Sequence, residues 1–81
     1  MIQVLFFAQV RELVGCDALA MNDEFATAEA LRAALAQRGD KWALALEPGK
    51  LLVAVNQTLV SLDTPIKGGD EVAFFPPVTG G

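Results

Sequence analysis

Four short runs with β-branched or aromatic residues, and a fifth short segment that can return as a strand, surround one well-marked amphipathic helix, and that ratio limits the chain to a small set of folds. The runs are 2–8 (Ile-Gln-Val-Leu-Phe-Phe-Ala), 17–21, 51–55 (Leu-Leu-Val-Ala-Val), 58–61 and 71–75. The helix begins after Thr27, a good N-cap, carries Glu29 in its first turn where the helix dipole favours negative charge, and runs to Arg38 with Gly39 placed to cap it. Ala28, Leu31 and Leu35 fall at i, i+3 and i+7 and make its apolar stripe, while Arg32 and Gln37 point elsewhere. The expected architecture is α+β: a mixed sheet of about five strands with one principal helix packed on one face.

The remaining elements are short. Residues 9–14 predict a helix stopped by Gly15, and 40–46 a second that ends before Glu47-Pro48-Gly49, because a residue preceding proline avoids helical angles. Asn56-Gln57 predicts a tight turn between two strands, and Gly68-Gly69 turns the chain into the last one. At 81 residues one domain is expected, over 1–75. Pro76 and Pro77 cannot donate to a ladder, so 76–81 should project as a flexible tail reaching at most roughly 20 Å.

Composition excludes several classes. A hydrophobic fraction of 53% argues against disorder. The longest apolar stretches, 4–8 and 51–55, fall far short of the roughly 20 residues that span a bilayer, so no membrane is expected. Residues 1–4 lack the basic region and cleavage site of a secretory signal, which makes a cytoplasmic location the expectation. A net charge of −4 with basic residues scattered singly argues against nucleic acid. With one cysteine and no histidine, neither a disulfide nor a zinc site is expected.

The side chains offer no catalytic constellation. There is no histidine base, no Cys-x-x-Cys and no glycine-rich phosphate loop, and Ser61 lacks triad partners. The neighbouring carboxylates Asp23-Glu24 and Asp70-Glu71 would point to opposite faces of a strand or be solvated in a turn. Cys16 has no nearby cation to favour a thiolate, Trp42 and Leu46 read as core packing, and Lys41, Lys50 and Lys67 read as solubilising charges.

Two features remain. Alternation places Ile2, Val4, Phe6, Val72 and Phe74 on the helix side of the sheet, which leaves Leu5, Phe7, Ala73 and Phe75, joined by Leu59, on the other. Contiguous exposed apolar surface of this kind marks a protein interface. The second feature is Gly80-Gly81: without Cβ atoms these residues can thread a narrow channel, while the α-carboxylate, an anion at neutral pH, needs activation by a partner before it can react.

The segment 69–81, with Phe74-Phe75-Pro76-Pro77-Val78-Thr79-Gly80-Gly81 at its end, resembles the C-terminal signature of the ubiquitin-like β-grasp sulfur carriers that form the small subunit of molybdopterin synthase. The run Val4-Leu5-Phe6-Phe7-Ala8 to Arg11-Glu12-Leu13 and the hairpin Ala54-Val55-Asn56-Gln57 are similar to the same family, so the likeness covers the whole chain; Thr79 stands where serine is more usual. The resemblance implies a carrier cycle. An ATP-dependent adenylating enzyme of the ubiquitin-activating type would activate the Gly81 carboxylate, and a sulfur donor system of the cysteine desulfurase type would convert it to a thiocarboxylate. The tail would then enter the large synthase subunit, within a heterotetramer, and give its sulfur to cyclic pyranopterin monophosphate to build the dithiolene. Gly81 would be the site of chemistry with Gly80 as spacer, and Phe7, Leu59, Phe75, Pro76, Pro77, Val78 and Thr79 would meet the partner. No cofactor would be bound by the chain itself, ATP being used by the activating partner. A sulfur carrier for the thiamine thiazole ring, a lysine modifier, and a β-grasp binding module without covalent chemistry are the alternatives.

Overall fold

The computed structural model describes residues 1–77. Along them run β1 (Ile2–Phe6), α1 (Ala8–Val14), β2 (Ala18–Met21), α2 (Ala28–Ala36), α3 (Asp40–Ala45), β3 (Leu52–Val55), β4 (Thr58–Val60) and β5 (Glu71–Phe75). The strands form a five-stranded mixed sheet in the order β2-β1-β5-β3-β4. β5 lies between β1, to which it is parallel, and β3, to which it is antiparallel. The last strand in sequence is thus the middle one in space, and the chain leaves the sheet from its centre.

Registry sorts the side chains by face. Val4 pairs with Val72 and Phe6 with Phe74, and Val72 and Phe74 pair in turn with Val55 and Val53. These residues, with Ile2, look toward α2, whose Ala28, Leu31 and Leu35 are buried in the same core. Phe6 stacks on Phe74 at 6.3 Å and meets the edge of Trp42 at 5.6 Å, which ties α3 to the sheet. The expected single covering helix is α2, but α1 and α3 add Val10, Ala45 and Leu46 to the core and cover the part of the inner face that nine helical residues leave open. Nine residues at about 1.5 Å each make a helix too short to shield five strands alone.

Local chemistry explains the boundaries. The Thr27 hydroxyl accepts from the Ala30 N–H at 3.1 Å, and the N–H groups of Ala28 and Glu29 donate to the carbonyls of Thr64 and Leu62 at 3.0 and 2.7 Å, so the start of α2 is satisfied by the loop before β5. Gly15 closes α1 in the left-handed region at φ 79°, donating to the Arg11 carbonyl. Two expectations need correction here. α2 ends at Ala36, two residues before the expected end at Arg38, with Gln37 and not Gly39 as its cap, and Gly39 instead precedes α3 with extended backbone that any residue could adopt. Arg32 does not point away: it is 8% exposed, donates to the Leu46 carbonyl at 2.8 Å, and makes a two-pronged pair with Glu29 at 2.8 and 2.6 Å. The pair holds Glu29 below its ordinary pKa and Arg32 above its own, in each case chiefly through the hydrogen bond to the other.

Candidate functional site

The outer face of the sheet is built by the same registers. Leu5 pairs with Ala18 and Ala73, Ala73 with Ala54, and Ala54 with Leu59, which makes one apolar row across all five strands. Phe75, paired with Leu52, begins a second row that Phe7 continues, its N–H bonded to the Phe74 carbonyl at 3.2 Å. No helix covers these rows among the described residues, since α1, α2 and α3 supply side chains to the inner core. Phe7 and Leu59 stand 45% and 62% exposed, an expensive arrangement for large apolar side chains unless something seats on them.

Along these rows lies an open groove of about 850 Å³, lined by Leu5, Phe7, Ala8, Ala54, Gln57, Glu71, Ala73, Phe75, Pro76 and Pro77. Alternating small and large residues shape it: Ala54 and Ala73 form the floor, and Phe7, Phe75 and the two prolines form the wall from which the chain departs. Pro76 is half-buried and Pro77 exposed, so the first tail residue is held against the body before the chain leaves. The opposite end is polar, with Gln57 and Glu71.

That polar end is fixed from behind. The Asp70 carboxylate accepts from Asn56 Nδ2 at 3.0 Å, from the Lys67 N–H at 2.9 Å and from Lys67 Nζ at 3.1 Å, while Asn56 Oδ1 accepts from the Glu71 N–H at 3.0 Å. The Asn56 bond first, then those from Lys67, hold Asp70 below the usual carboxylate range. Asp70 was expected to be solvated; it is 5% exposed instead, because three donors converge on it and satisfy what burial would otherwise leave bare. Lys67, expected only to solubilise, anchors it.

Of the residues expected to meet a partner, Phe7, Phe75, Pro76 and Pro77 come together around the groove. Leu59 shares the face but stands beyond Ala54 on the edge strand, outside the groove itself. Val78, Thr79, Gly80 and Gly81 lie outside the described residues. Ala8, Ala54, Gln57 and Glu71 were not anticipated. Ala54 was legible from the Asn56-Gln57 turn, which sets it opposite Leu59, whereas Ala8 sits at a strand-to-helix junction where neither periodicity applies. Among the described residues no group of His, Cys, Asp and Glu could hold a metal ion, and no helix is long and apolar enough to cross a membrane.

A family model described as the ThiS family matches residues 4–81. The chain is 70% identical over 81 residues, covering all of both chains, to the molybdopterin synthase sulfur carrier subunits of Haemophilus influenzae and of Escherichia coli. Among solved structures, one of a protein–protein complex of subunits 1 and 2 of the molybdopterin-converting factor from Helicobacter pylori contains a chain that is 33% identical. It superposes with a TM-score of 0.62 over 99% of this chain and 97% of that one.

Proposed function

The chain belongs to the ThiS family, and from that premise we propose that it is the sulfur carrier subunit of a molybdopterin synthase, working through its terminal Gly81. The observation that carries the reading is the full-length identity of 70% with carriers of that name, on a fold whose central strand ends beside an open apolar groove.

The chain contributes position and a reacting end; its side chains contribute no acid, base or nucleophile. The carboxylate of Gly81 attacks the α-phosphorus of ATP on the adenylating enzyme, pyrophosphate leaves, and the acyl adenylate turns a poor electrophile into a good one. A persulfide from the donor system attacks the acyl carbon through its outer sulfur and displaces AMP, and a thiol of that system then cleaves the S–S bond to leave a thiocarboxylate and a disulfide. Within the large subunit the thiocarboxylate sulfur bonds to cyclic pyranopterin monophosphate, and water cleaves the resulting thioester, which leaves the sulfur on the pterin and returns Gly81 to a carboxylate. Two rounds supply the two sulfurs of the dithiolene. Glycine at 80 and 81 lets the tail pass where a Cβ would clash, and the prolines at 76 and 77 limit the directions from which it starts.

The groove is the seat for the partners. Its apolar wall adjoins the point of departure, so a partner that covers Phe7 and Phe75 also receives the tail, and seating and delivery become one event. Support for the large subunit as one such partner comes from the Helicobacter pylori complex of two converting-factor subunits. A division into a body, 1–75, and a tail, 76–81, and a cytoplasmic location with ready access to ATP belong to the same reading.

Intact-mass measurement of the chain purified from its native host tests it. A species heavier by about 16 Da, oxygen replaced by sulfur, that maps to the C-terminal peptide is expected. Complete absence of that species, with a chain that also fails to yield product in a synthase assay, would remove the carrier role and leave a β-grasp binding module.

A further inference from the structure

Three residues other than glycine have positive φ: Ala8 at 52°, Asn56 at 51° and Gln57 at 69°. In this region the Cβ crowds the backbone, and glycine is the residue that occupies it freely. Asn56 has an evident reason to be there. Asparagine tolerates these angles, and both ends of its amide are engaged, with Asp70 and with the Glu71 N–H. Ala8 and Gln57 have no such reason, since both are exposed and neither side chain makes a hydrogen bond among the described residues.

These two share a location. Both line the outer groove, Ala8 at the end where the tail departs and Gln57 at the other, separated by the length of β5. Glycine at either position would relieve the backbone, and at Gln57 it would complete the Asn-Gly pair favoured in two-residue hairpins of this geometry. A non-glycine residue at both ends of one groove, against the local backbone preference, points to a use for the side chain itself.

We propose that Ala8 and Gln57 are recognition residues for the large synthase subunit, contacted at the two ends of the groove when that subunit seats on it; this rests on the reading of the groove given above. The chemistry of the ends defines what the partner presents. At the Ala8 end, beside Phe7, Phe75 and the prolines, the methyl group completes an apolar wall and meets an apolar side chain. At the Gln57 end Gln57 and Glu71 both line the groove, and a carboxamide with a carboxylate accepts hydrogen bonds from a cationic or amide donor.

Ala8→Gly and Gln57→Gly test this by opposing effects, with Phe75→Arg as the control for the groove. Relief of the left-handed Cβ contact roughly offsets the greater freedom glycine gains on unfolding, so each glycine variant should keep its melting midpoint within about 3 °C of the parent or raise it. Each should nonetheless bind the purified large subunit about fivefold more weakly in a calorimetric titration, a smaller loss than that of Phe75→Arg because the contacts lie at the ends of the groove. Should both glycine variants bind as the parent does while Phe75→Arg is impaired, the groove remains the seat and the assignment of Ala8 and Gln57 fails. If Phe75→Arg also binds normally, the groove is not the seat and both readings fall. A fall of more than about 3 °C in either glycine variant would show that the side chain serves the fold, and would overturn the inference for that residue.

Discussion

Asp70 carries one residue's share of the fold in a form that pH can read. Its carboxylate joins the β3–β4 turn, through Asn56, to the turn that launches β5, through Lys67. Because the folded state holds Asp70 below its ordinary value, chiefly by the Asn56 bond, the folded form binds its proton less readily than the unfolded chain does. The stabilisation is fully present above the unfolded value of about 3.9 and is lost as pH falls through the lower folded value. The melting midpoint of the parent should therefore fall in that acid window. Asp70→Ala should melt lower at pH 7, and its gap to the parent should close as the pH is lowered through the window. A gap of constant size across a thermal series from pH 7 to pH 2 would show that the bonds to Asp70 contribute nothing through ionisation.

Helix α2 owes its position to groups at both ends of its first turns. Thr27→Ala removes the oxygen that accepts from Ala30 and should destabilise the chain by about 1 kcal/mol, the usual loss for such a cap. Arg32→Ala should be worse, about 1–3 kcal/mol, because the buried Leu46 carbonyl at the end of α3 loses its donor and burial leaves it without water. Arg32 also belongs to the packing: its stem fills space between α2 and α3 while the guanidinium is held by Glu29. Urea unfolding of both variants gives the ranking directly, with equal losses for the two pointing to a carbonyl that finds another donor. Leu35→Ala, which empties a fully buried site under the sheet, should exceed both at about 2–5 kcal/mol.

At the scale of the whole molecule, the proposed reading assigns stability to one face of the sheet and partnership to the other. Phe6 and Phe74 belong to the inner core, whereas their neighbours Phe7 and Phe75 belong to the groove, so adjacent phenylalanines have different jobs. Phe75→Arg should leave the far-ultraviolet circular dichroism unchanged and weaken binding to the large subunit by about 2 kcal/mol or more. Leu59→Arg, standing outside the groove, should weaken it less, since peripheral contacts contribute less than central ones. Deleting Gly81 should abolish sulfur transfer with the melting midpoint unchanged, because it withdraws the reacting carboxylate by about 3.5 Å, and a displacement of 1 Å can already lower a rate a hundredfold. Full synthase activity of the shortened chain would move the chemistry elsewhere.

The amino-acid sequence by itself determined the strands, the start of α2 and the two faces of the sheet, because each depends on residues within a few positions of one another. Alternation in 2–8 and 71–75 separates Phe6 from Phe7 and Phe74 from Phe75 without any tertiary information. The capping oxygen of Thr27 and the Asn56-Gln57 turn are likewise local, and the resemblance of 69–81 to a known signature pointed to the terminus. Tertiary structure alone decided that β5 lies between β1 and β3, and so that the tail leaves from the centre of the sheet and not from an edge. It also decided the burial of Arg32 and Asp70. A charged side chain reads as exposed until the groups that satisfy it are known, and here those groups come from 14 residues away, Leu46 for Arg32 and Asn56 for Asp70. The groove has the same origin: Ala8, Ala54, Gln57 and Phe75 are brought together by strand pairing, and no local pattern links them.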